Sequence, residues 1–310
     1  MARVVITEFM DEVVVEGLAE DFDTVYDPSL ADRPDRILGL LGDAEALVVR
    51  NRTIVDAAML DAAPRLRIVG RLGVGLDNID VAACAQRGVP VLAATGANVE
   101  AVAEYVITVA LMLVRGSFLM SSRVAAGEWP RAALTGRELS GRTLGLVGFG
   151  AIARRVAEIA ETLGMRVIAY DPFLPGDDPA WASASSVDLP TLVARSDVLS
   201  LHVPLTDATR DLISASEIDS MPDDAVLINT ARGGVVDEGA VIAALRSGRL
   251  AGAALDVFAS EPVDATSGAV FADVPNLILT PHIAGITHES NSRVSSMIAS
   301  AVRTALGAPP

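Results

Sequence analysis

Three residues able to move a proton or hold an anion stand just beyond three β-like runs in the second half of the chain. Ala225–Asn229 runs into Thr230-Ala231-Arg232-Gly233-Gly234, Ala253–Val257 into Phe258-Ala259-Ser260-Glu261-Pro262, and Leu277–Thr280 into Pro281-His282. Histidine is the side chain that carries protons near neutral pH, and a neighbouring carboxylate stabilises its protonated form, so His282 and Glu261 read as an acid–base pair. Arg232 offers a planar fork that can hold a carboxylate and polarise the adjacent keto oxygen. Gly233-Gly234 would keep the wall beside it thin. Taken singly, each residue has an ordinary reading: a surface ion pair, a turn cap, a core histidine. In open parallel sheets, however, ligands bind off the carboxyl ends of the strands, and all three residues emerge there.

A fourth strand end supplies what such a trio would act with. Thr143–Val147 passes through Gly148-Phe149-Gly150-Ala151-Ile152-Ala153 into Val156, Ile159, Ala160 and Leu163, apolar positions spaced along one helical face. The pattern G-x-G-x-x-A lets Gly148 make a tight turn, lets backbone N–H groups at Gly150 approach a pyrophosphate, and lets small Ala153 pack the helix on the strand. The unpaired N–H groups of the helix start would hold the anion. The next run, Met165–Tyr170, ends in Asp171, roughly 20 residues after the first glycine, where a carboxylate accepts hydrogen bonds from the adenosine ribose and repels a 2′-phosphate. Pro172, Phe173 and Leu174 bring no arginine to receive such a phosphate, so the pattern predicts NAD rather than NADP. A proton carrier beside a carboxylate and an arginine fork are what hydride transfer at an oxygen-bearing carbon needs.

The elements that position these groups fill a chain of 310 residues, 51% hydrophobic and 21% charged, long enough for two domains with cores of their own. A net charge of −16 argues against nucleic-acid or anionic-membrane partners. All 24 basic residues are arginine, which excludes a P-loop lysine, a Schiff-base lysine and a lysine general base. The single cysteine, Cys84, excludes an internal disulfide and reads as a buried structural thiol, and three histidines, His202, His282 and His288, make a multi-histidine metal site improbable, so no metal is expected. The chain runs straight into a strand at Val4–Ile6, so no signal peptide is expected, and the apolar helix around Tyr105–Val114 is too short to span a bilayer; a cytoplasmic protein is expected.

Short strands at Val4–Ile6, Ala46–Val49, Arg67–Val69 and Val89–Leu92 alternate with helical runs at Glu12–Leu18, Ile54–Ala62 and Val81–Gln86, predicting a complete α/β unit ahead of the glycine loop. One long helix is expected from Val99 to Ala126, capped by Asn98 and ended by Gly127. Six strands then recur, at 143–147, 166–170, 198–203, 225–229, 253–257 and 277–280, and an amphipathic helix at Glu289–Ala305 closes the chain. The fold class that follows is α/β, with two Rossmann-like doubly wound parallel-sheet domains, the first smaller and discontinuous. Residues 1–97 plus 286–310 would form the substrate-binding domain and 98–285 the NAD-binding domain.

These residues resemble the D-2-hydroxyacid dehydrogenases, and most closely their 3-phosphoglycerate dehydrogenase branch. The likeness is carried by Val69–Asp80 (VGRLGVGLDNID), the glycine loop with Asp171, Asn229–Glu238 (NTARGGVVDE), Ala254–Phe258 through Glu261-Pro262, and Pro281-His282. It implies catalytic roles for Arg232, Glu261 and His282. For the cofactor it implies Asp256 at the nicotinamide carboxamide and contacts from Val203, Pro204, Thr230, Ala231 and Arg232. Val74, Gly148, Gly150, Ala151, Ile152, Asp171, His282 and Gly285 complete that expected cofactor set.

For the substrate the likeness implies a carboxylate received by the backbone of Leu72, Gly73, Val74 and Gly75, with Arg50 facing the substrate's far end. The expected substrate is a small anionic 2-hydroxyacid or 2-oxoacid, 3-phosphoglycerate-like. Sulfolactate dehydrogenase and hydroxypyruvate or glyoxylate reductase are the alternatives, and an NAD-sensing scaffold is the alternative of another class. The sequence ends soon after the closing helix, so no serine-responsive regulatory domain is expected. Arg52 would place a second cation near the pocket if it points inward, Arg131 is a candidate to reach an anion or a neighbouring subunit, His202 reads as packing and His288 as surface. A homodimer is implied by family likeness.

Overall fold

The computed structural model describes residues 1–132 and 134–308, apart from the side chain of Leu119; residues 309 and 310, assigned above to the first domain, lie outside the described residues. The chain divides into two compact units, one of Met1–Asn98 with Ile286–Pro310 and one of Val99–Gly285.

In the first unit the strands are β1 (Arg3–Ile6), β2 (Asp23–Tyr26), β3 (Ala44–Val49), β4 (Ile68–Arg71) and β5 (Val91–Ala93). They form one parallel sheet in the order β2-β1-β3-β4-β5, a flavodoxin-like arrangement whose order reverses between β1 and β3. Val5, Leu47, Val49 and Val69 face one apolar cluster and Val4, Ile6, Ala46, Val48 and Ile68 the other, so both sheet faces are covered. The second cluster is closed by the helix His288–Leu306, which buries Val294, Ile298 and Val302 at four-residue spacing. That helix starts where Thr287 accepts the Ser290 N–H and stops at Gly307 with φ 84°. Gly70 in β4 lets it approach, because a Cβ there would sit 2.7 Å from Ile298 Cγ2.

The second unit continues with β6 (Thr143–Val147), β7 (Arg166–Tyr170), β8 (Ser185–Ser186), β9 (Val198–Leu201), β10 (Val226–Asn229), β11 (Gly252–Leu255) and β12 (Leu277–Leu279). They pair in parallel as β12-β11-β10-β9-β6-β7-β8, the dinucleotide-binding order with one added strand, and the order reverses beside β6. Every residue of β6, β9, β10 and β11 is buried, because helices cover both faces of these central strands. The helices Val99–Arg115 and Ala151–Thr162 share one covering layer, joined by the bidentate Arg155–Glu100 pair at 2.7 and 2.8 Å.

Several expectations need correction. The helix from Val99 ends at Arg115 rather than Ala126, because Gly116 turns left-handed at φ 68° and the chain goes on as a 3₁₀ turn, Ser117–Met120, and a short helix, Ser121–Ala125. Asn98 does not cap it, since its Oδ1 is buried without a hydrogen-bond partner. The Ile54–Ala62 helix begins only at Ala57: Val55 bridges Ile79, and Asp56 accepts the Met59 N–H as the cap. β2 and β8 are additional strands, one half-exposed and one of two exposed serines, both at sheet edges. Among the described residues no helix is long and apolar enough to cross a membrane.

The contact under Gly70 is tight enough to test. Gly70→Ala forces Ile298 out of its seat and is expected to lower stability by about 2 kcal/mol, read as a lower urea midpoint at unchanged slope.

Candidate active site

After β6 the backbone of Gly148 takes φ 84° and its N–H donates to the Tyr170 carbonyl at 2.8 Å. A Cβ at Gly148 would meet the His202 carbonyl oxygen at 2.6 Å and Val203 Cγ1 at 2.8 Å, so only glycine fits. Gly150 precedes the Ala151–Thr162 helix, and apart from its immediate chain neighbours nothing lies within 4 Å of where its Cβ would be. Beside that open space the N–H groups of Ala151, Ile152 and Ala153 donate to nothing among the described residues. Bare glycine surface over the unpaired start of a 12-residue helix fits a dinucleotide pyrophosphate. Ala153 is fully buried beneath it.

Asp171 fixes this corner: its Oδ2 accepts the Phe149 N–H and its Oδ1 the Phe173 N–H, each at 2.9 Å. A carboxylate has about four acceptor sites, which leaves capacity for ribose hydroxyls. Sequence reasoning passed over Phe149, the variable residue of the glycine motif. Its buried ring stacks on Trp181, with centroids 5.1 Å apart and planes 5° apart, and its carbonyl accepts Arg154 Nε at 2.9 Å. His202 lies on the other side of Gly148, its Nε2 2.9 Å from Ser200 Oγ. The residue is partly exposed, yet enough protein surrounds the imidazole that burial pushes its pKa down to about 4. It is therefore neutral at physiological pH.

At the ends of β10, β11 and β12 the structure brings Arg232, Glu261 and His282 together. Asn229 shapes the first turn, donating to the Arg232 carbonyl at 2.9 Å and accepting the Ala231 N–H at 3.0 Å. Thr230 and Ala231 form this turn. Gly233 does not thin a wall toward a ligand as expected. It makes room for protein backbone, because a Cβ there would lie 1.8 Å from the Phe258 carbonyl oxygen.

Glu261 Oε1 accepts the Phe258 N–H at 2.9 Å and its Oε2 lies 2.7 Å from His282 Nδ1. Burial raises the Glu261 pKa, but the hydrogen bonds from His282 and Phe258 and the charges of His282 and Arg232 outweigh it, so the carboxyl is held below its ordinary value. An ionised Glu261 accepts from Nδ1–H and leaves Nε2 of His282 for chemistry.

His282 sits at φ 55°, a left-handed conformation that needs support. Asp256, 1% exposed, provides it: its carboxylate accepts the N–H groups of Ile283 and Ala284 at 2.8 Å and the Thr280 hydroxyl at 2.6 Å, and its carbonyl accepts the His282 N–H. Thr280 in turn lies 2.6 Å from the Tyr105 hydroxyl. Three of the four acceptor sites of Asp256 are thus spent on the turn that carries His282, next to Gly285, a use the sequence did not suggest.

In the first unit the candidate residues gather on the carboxyl edge. Gly73, at φ 148°, admits the Arg71 guanidinium, whose Nη1 would lie 1.6 Å from a Cβ at Gly73. Leu72 is buried, and the N–H groups of Val74 and Gly75 donate to nothing among the described residues, as an anion-receiving nest requires. Arg50, beyond β3, donates to Asn291 Oδ1 at 3.0 Å and lies 5.8 Å over the Phe9 ring. Burial lowers its pKa, with the charge of Glu8 opposing the shift. Arg52 turns instead to Asp32. Together with Ile37, Leu38, Ile54 and Met59 it borders a mainly apolar cleft of about 320 Å³. Pro204, Arg131 and His288 are exposed, Cys84 is buried, and no metal-binding cluster occurs among the described residues.

Comparison with known proteins decides the family. Residues 107–284 match the D-isomer specific 2-hydroxyacid dehydrogenase NAD-binding domain. The chain belongs to the D-2-hydroxyacid dehydrogenases. It is 53% identical to a (S)-sulfolactate dehydrogenase of Chromohalobacter salexigens over 99% of both chains. To a D-3-phosphoglycerate dehydrogenase of Archaeoglobus fulgidus it is 41% identical over 82% of this chain but 48% of that one. A D-lactate dehydrogenase of Aquifex aeolicus, solved with NAD and lactic acid, superposes with a TM-score of 0.85 at 29% identity, covering 98% of this chain and 95% of that one. The protein is an NAD-dependent oxidoreductase acting on the CH–OH group of a 2-hydroxyacid.

Two measurements follow. Asp171→Ala is expected to weaken NADH binding at least about tenfold and to narrow the preference over NADPH, by fluorescence titration of both nucleotides. Because His202 takes its proton near pH 6.5 when unfolded and only near 4 when folded, the folded state loses roughly 3 kcal/mol as pH falls between those values. Urea unfolding at pH 7 and pH 4.5 should show that loss shrink in His202→Gln.

Proposed function

We propose that this dehydrogenase interconverts 3-sulfolactate and 3-sulfopyruvate, in place of the 3-phosphoglycerate-like substrate that the sequence alone favours. The observation that carries the reading is the 53% identity to a (S)-sulfolactate dehydrogenase along 99% of both chains. The S descriptor agrees with a D-specific family, because sulfur outranks the carboxyl group in the naming of carbon 2 and so inverts the label without inverting the centre. Charge supports it as well. A sulfonate carries one negative charge where a phosphate near pH 7 carries up to two. Arg50 makes no ion pair among the described residues, whereas the second loop cation, Arg52, is matched to Asp32.

In this reading bound NAD supplies the hydride acceptor. His282 Nε2 takes the hydroxyl proton as the carbon 2 hydride departs, and returns it to the keto oxygen in reduction. Glu261 keeps the other ring proton on Nδ1 and balances the imidazolium that forms. Arg232 orients the carboxylate and polarises the keto oxygen. Within the first unit, Arg50 and the N–H groups of Val74 and Gly75 are the candidates for receiving an anionic group of the substrate. A homodimer in the cytoplasm completes the reading, with exposed Phe118, Val124 and Trp129 as support for self-association; light scattering should give twice the 32.2 kDa chain mass.

Steady-state NADH oxidation with sulfopyruvate, phosphohydroxypyruvate, hydroxypyruvate, glyoxylate and pyruvate tests the substrate. Sulfopyruvate is expected to have the highest kcat/KM, and a higher value for phosphohydroxypyruvate overturns the assignment. Asparagine tolerates the left-handed backbone of position 282, so His282→Asn should fold, bind NADH and lose about 10²–10⁴-fold in kcat. Glu261→Gln removes the counter-charge of the imidazolium and is expected to lower kcat about tenfold or more at little change in KM, read in the same assay.

A further inference from the structure

The loop that carries Arg50 is clamped on both sides of its backbone by residues outside the catalytic trio. Glu8 lies just past β1 and is 4% exposed. Its carboxylate accepts the N–H groups of Arg50 at 2.8 Å, Asn51 at 3.2 Å, Arg52 at 3.1 Å and Thr53 at 2.9 Å. Asn78 secures the carbonyl side, its Nδ2 donating to Arg50 O at 3.3 Å and Thr53 O at 2.6 Å. The Thr7 and Thr53 hydroxyls meet at 2.8 Å. A buried carboxylate persists only when it is fully hydrogen-bonded, and here its partners are four consecutive amides of a single loop. The backbone clamp does not itself direct the Arg50 side chain; Asn291 Oδ1, on the closing helix, takes one of its guanidinium N–H groups at 3.0 Å. Asn291 is neutral. It orients the guanidinium without cancelling its charge, unlike Asp32 at Arg52.

We propose that Glu8 and Asn291 are positioning residues for anion recognition, Glu8 by fixing the Arg50–Thr53 backbone and Asn291 by aiming the Arg50 guanidinium while leaving its charge available for the substrate's terminal sulfonate. The inference rests on the reading of Arg50 as the residue that meets that sulfonate. Asn291→Asp then has a definite sign: it keeps shape and hydrogen bond but cancels the charge. Glu8→Gln replaces an acceptor of the loop amides with an NH₂ group that cannot accept, so the loop loses its fixed path.

The test is steady-state kinetics of Arg50→Gln, Asn291→Asp, Asn291→Ala and Glu8→Gln with sulfopyruvate and with glyoxylate, which has no terminal anion, alongside thermal unfolding. Asn291→Asp is expected to raise KM for sulfopyruvate more than it changes kcat, lowering the sulfopyruvate-to-glyoxylate ratio of kcat/KM at least about tenfold; Asn291→Ala should give a smaller fall, and Glu8→Gln a fall accompanied by a lower Tm. A purely structural role would depress both substrates together. If Arg50→Gln lowers the ratio while Asn291→Asp leaves it within about twofold, the inference is overturned and the role of Arg50 stands. If Arg50→Gln itself leaves the ratio unchanged, the reading of Arg50 fails and takes the inference with it. Asn291 is half-buried on a helix surface, so its variants decide the matter even where Glu8→Gln fails to fold.

Discussion

The candidate site depends on one buried carboxylate. Without Asp256 the chain from Thr280 to Ala284 would have no reason to hold His282 at φ 55°, a conformation most residues avoid. The hydrogen bonds that Asp256 accepts from Thr280, Ile283 and Ala284 offset that strain, and they place the imidazole where Glu261 reaches Nδ1 at 2.7 Å. Its reach extends to the Val99–Arg115 helix: the Thr280 hydroxyl donates to Asp256 and so must accept from Tyr105. The His282–Glu261 pair is thus built on backbone hydrogen bonds to an anion, which hold the end of β12 in place.

The same device recurs at three other places. Asp171 ties the glycine loop to the turn after β7, Glu8 gathers the Arg50–Thr53 amides, and Asp197 accepts the Thr143 N–H at 2.8 Å at the start of β6 while pairing with Arg142. In a chain of net charge −16, acidic side chains are abundant, and several of them work as acceptors for main-chain N–H groups. The cations at these edges are all guanidiniums, planar donors suited to holding a carboxylate or a sulfonate through two parallel hydrogen bonds.

Much of this was legible in the residues. β6 and β7 occupy the ranges that their apolar runs suggest, because strands buried on both faces need continuous apolar sequence. Arg232, Glu261 and His282 could be singled out as candidates because each follows an apolar strand run by a few residues. The edge strands β2 and β8 left no comparable signal, being short and partly polar. The end of the Val99 helix was hidden because Phe118, Leu119 and Met120 continue its apolar character past Gly116, whose left-handed turn only the backbone reveals. Glu8 and the structural half of Asp256 escaped for a deeper reason. A carboxylate that binds a ligand and one that binds backbone amides are the same letter in a sequence, and only the hydrogen bonds separate them.

The Phe149–Trp181 stack has an optical consequence. The chain has two tryptophans; Trp129 is 76% exposed, whereas Trp181 lies face to face with a ring of the glycine loop itself. Its indole N–H is also taken, donating to the Pro175 carbonyl at 2.8 Å. The two indoles therefore emit from different surroundings, one wet and one packed against the dinucleotide corner, and the packed one is a natural chromophore for following that corner without any attached label.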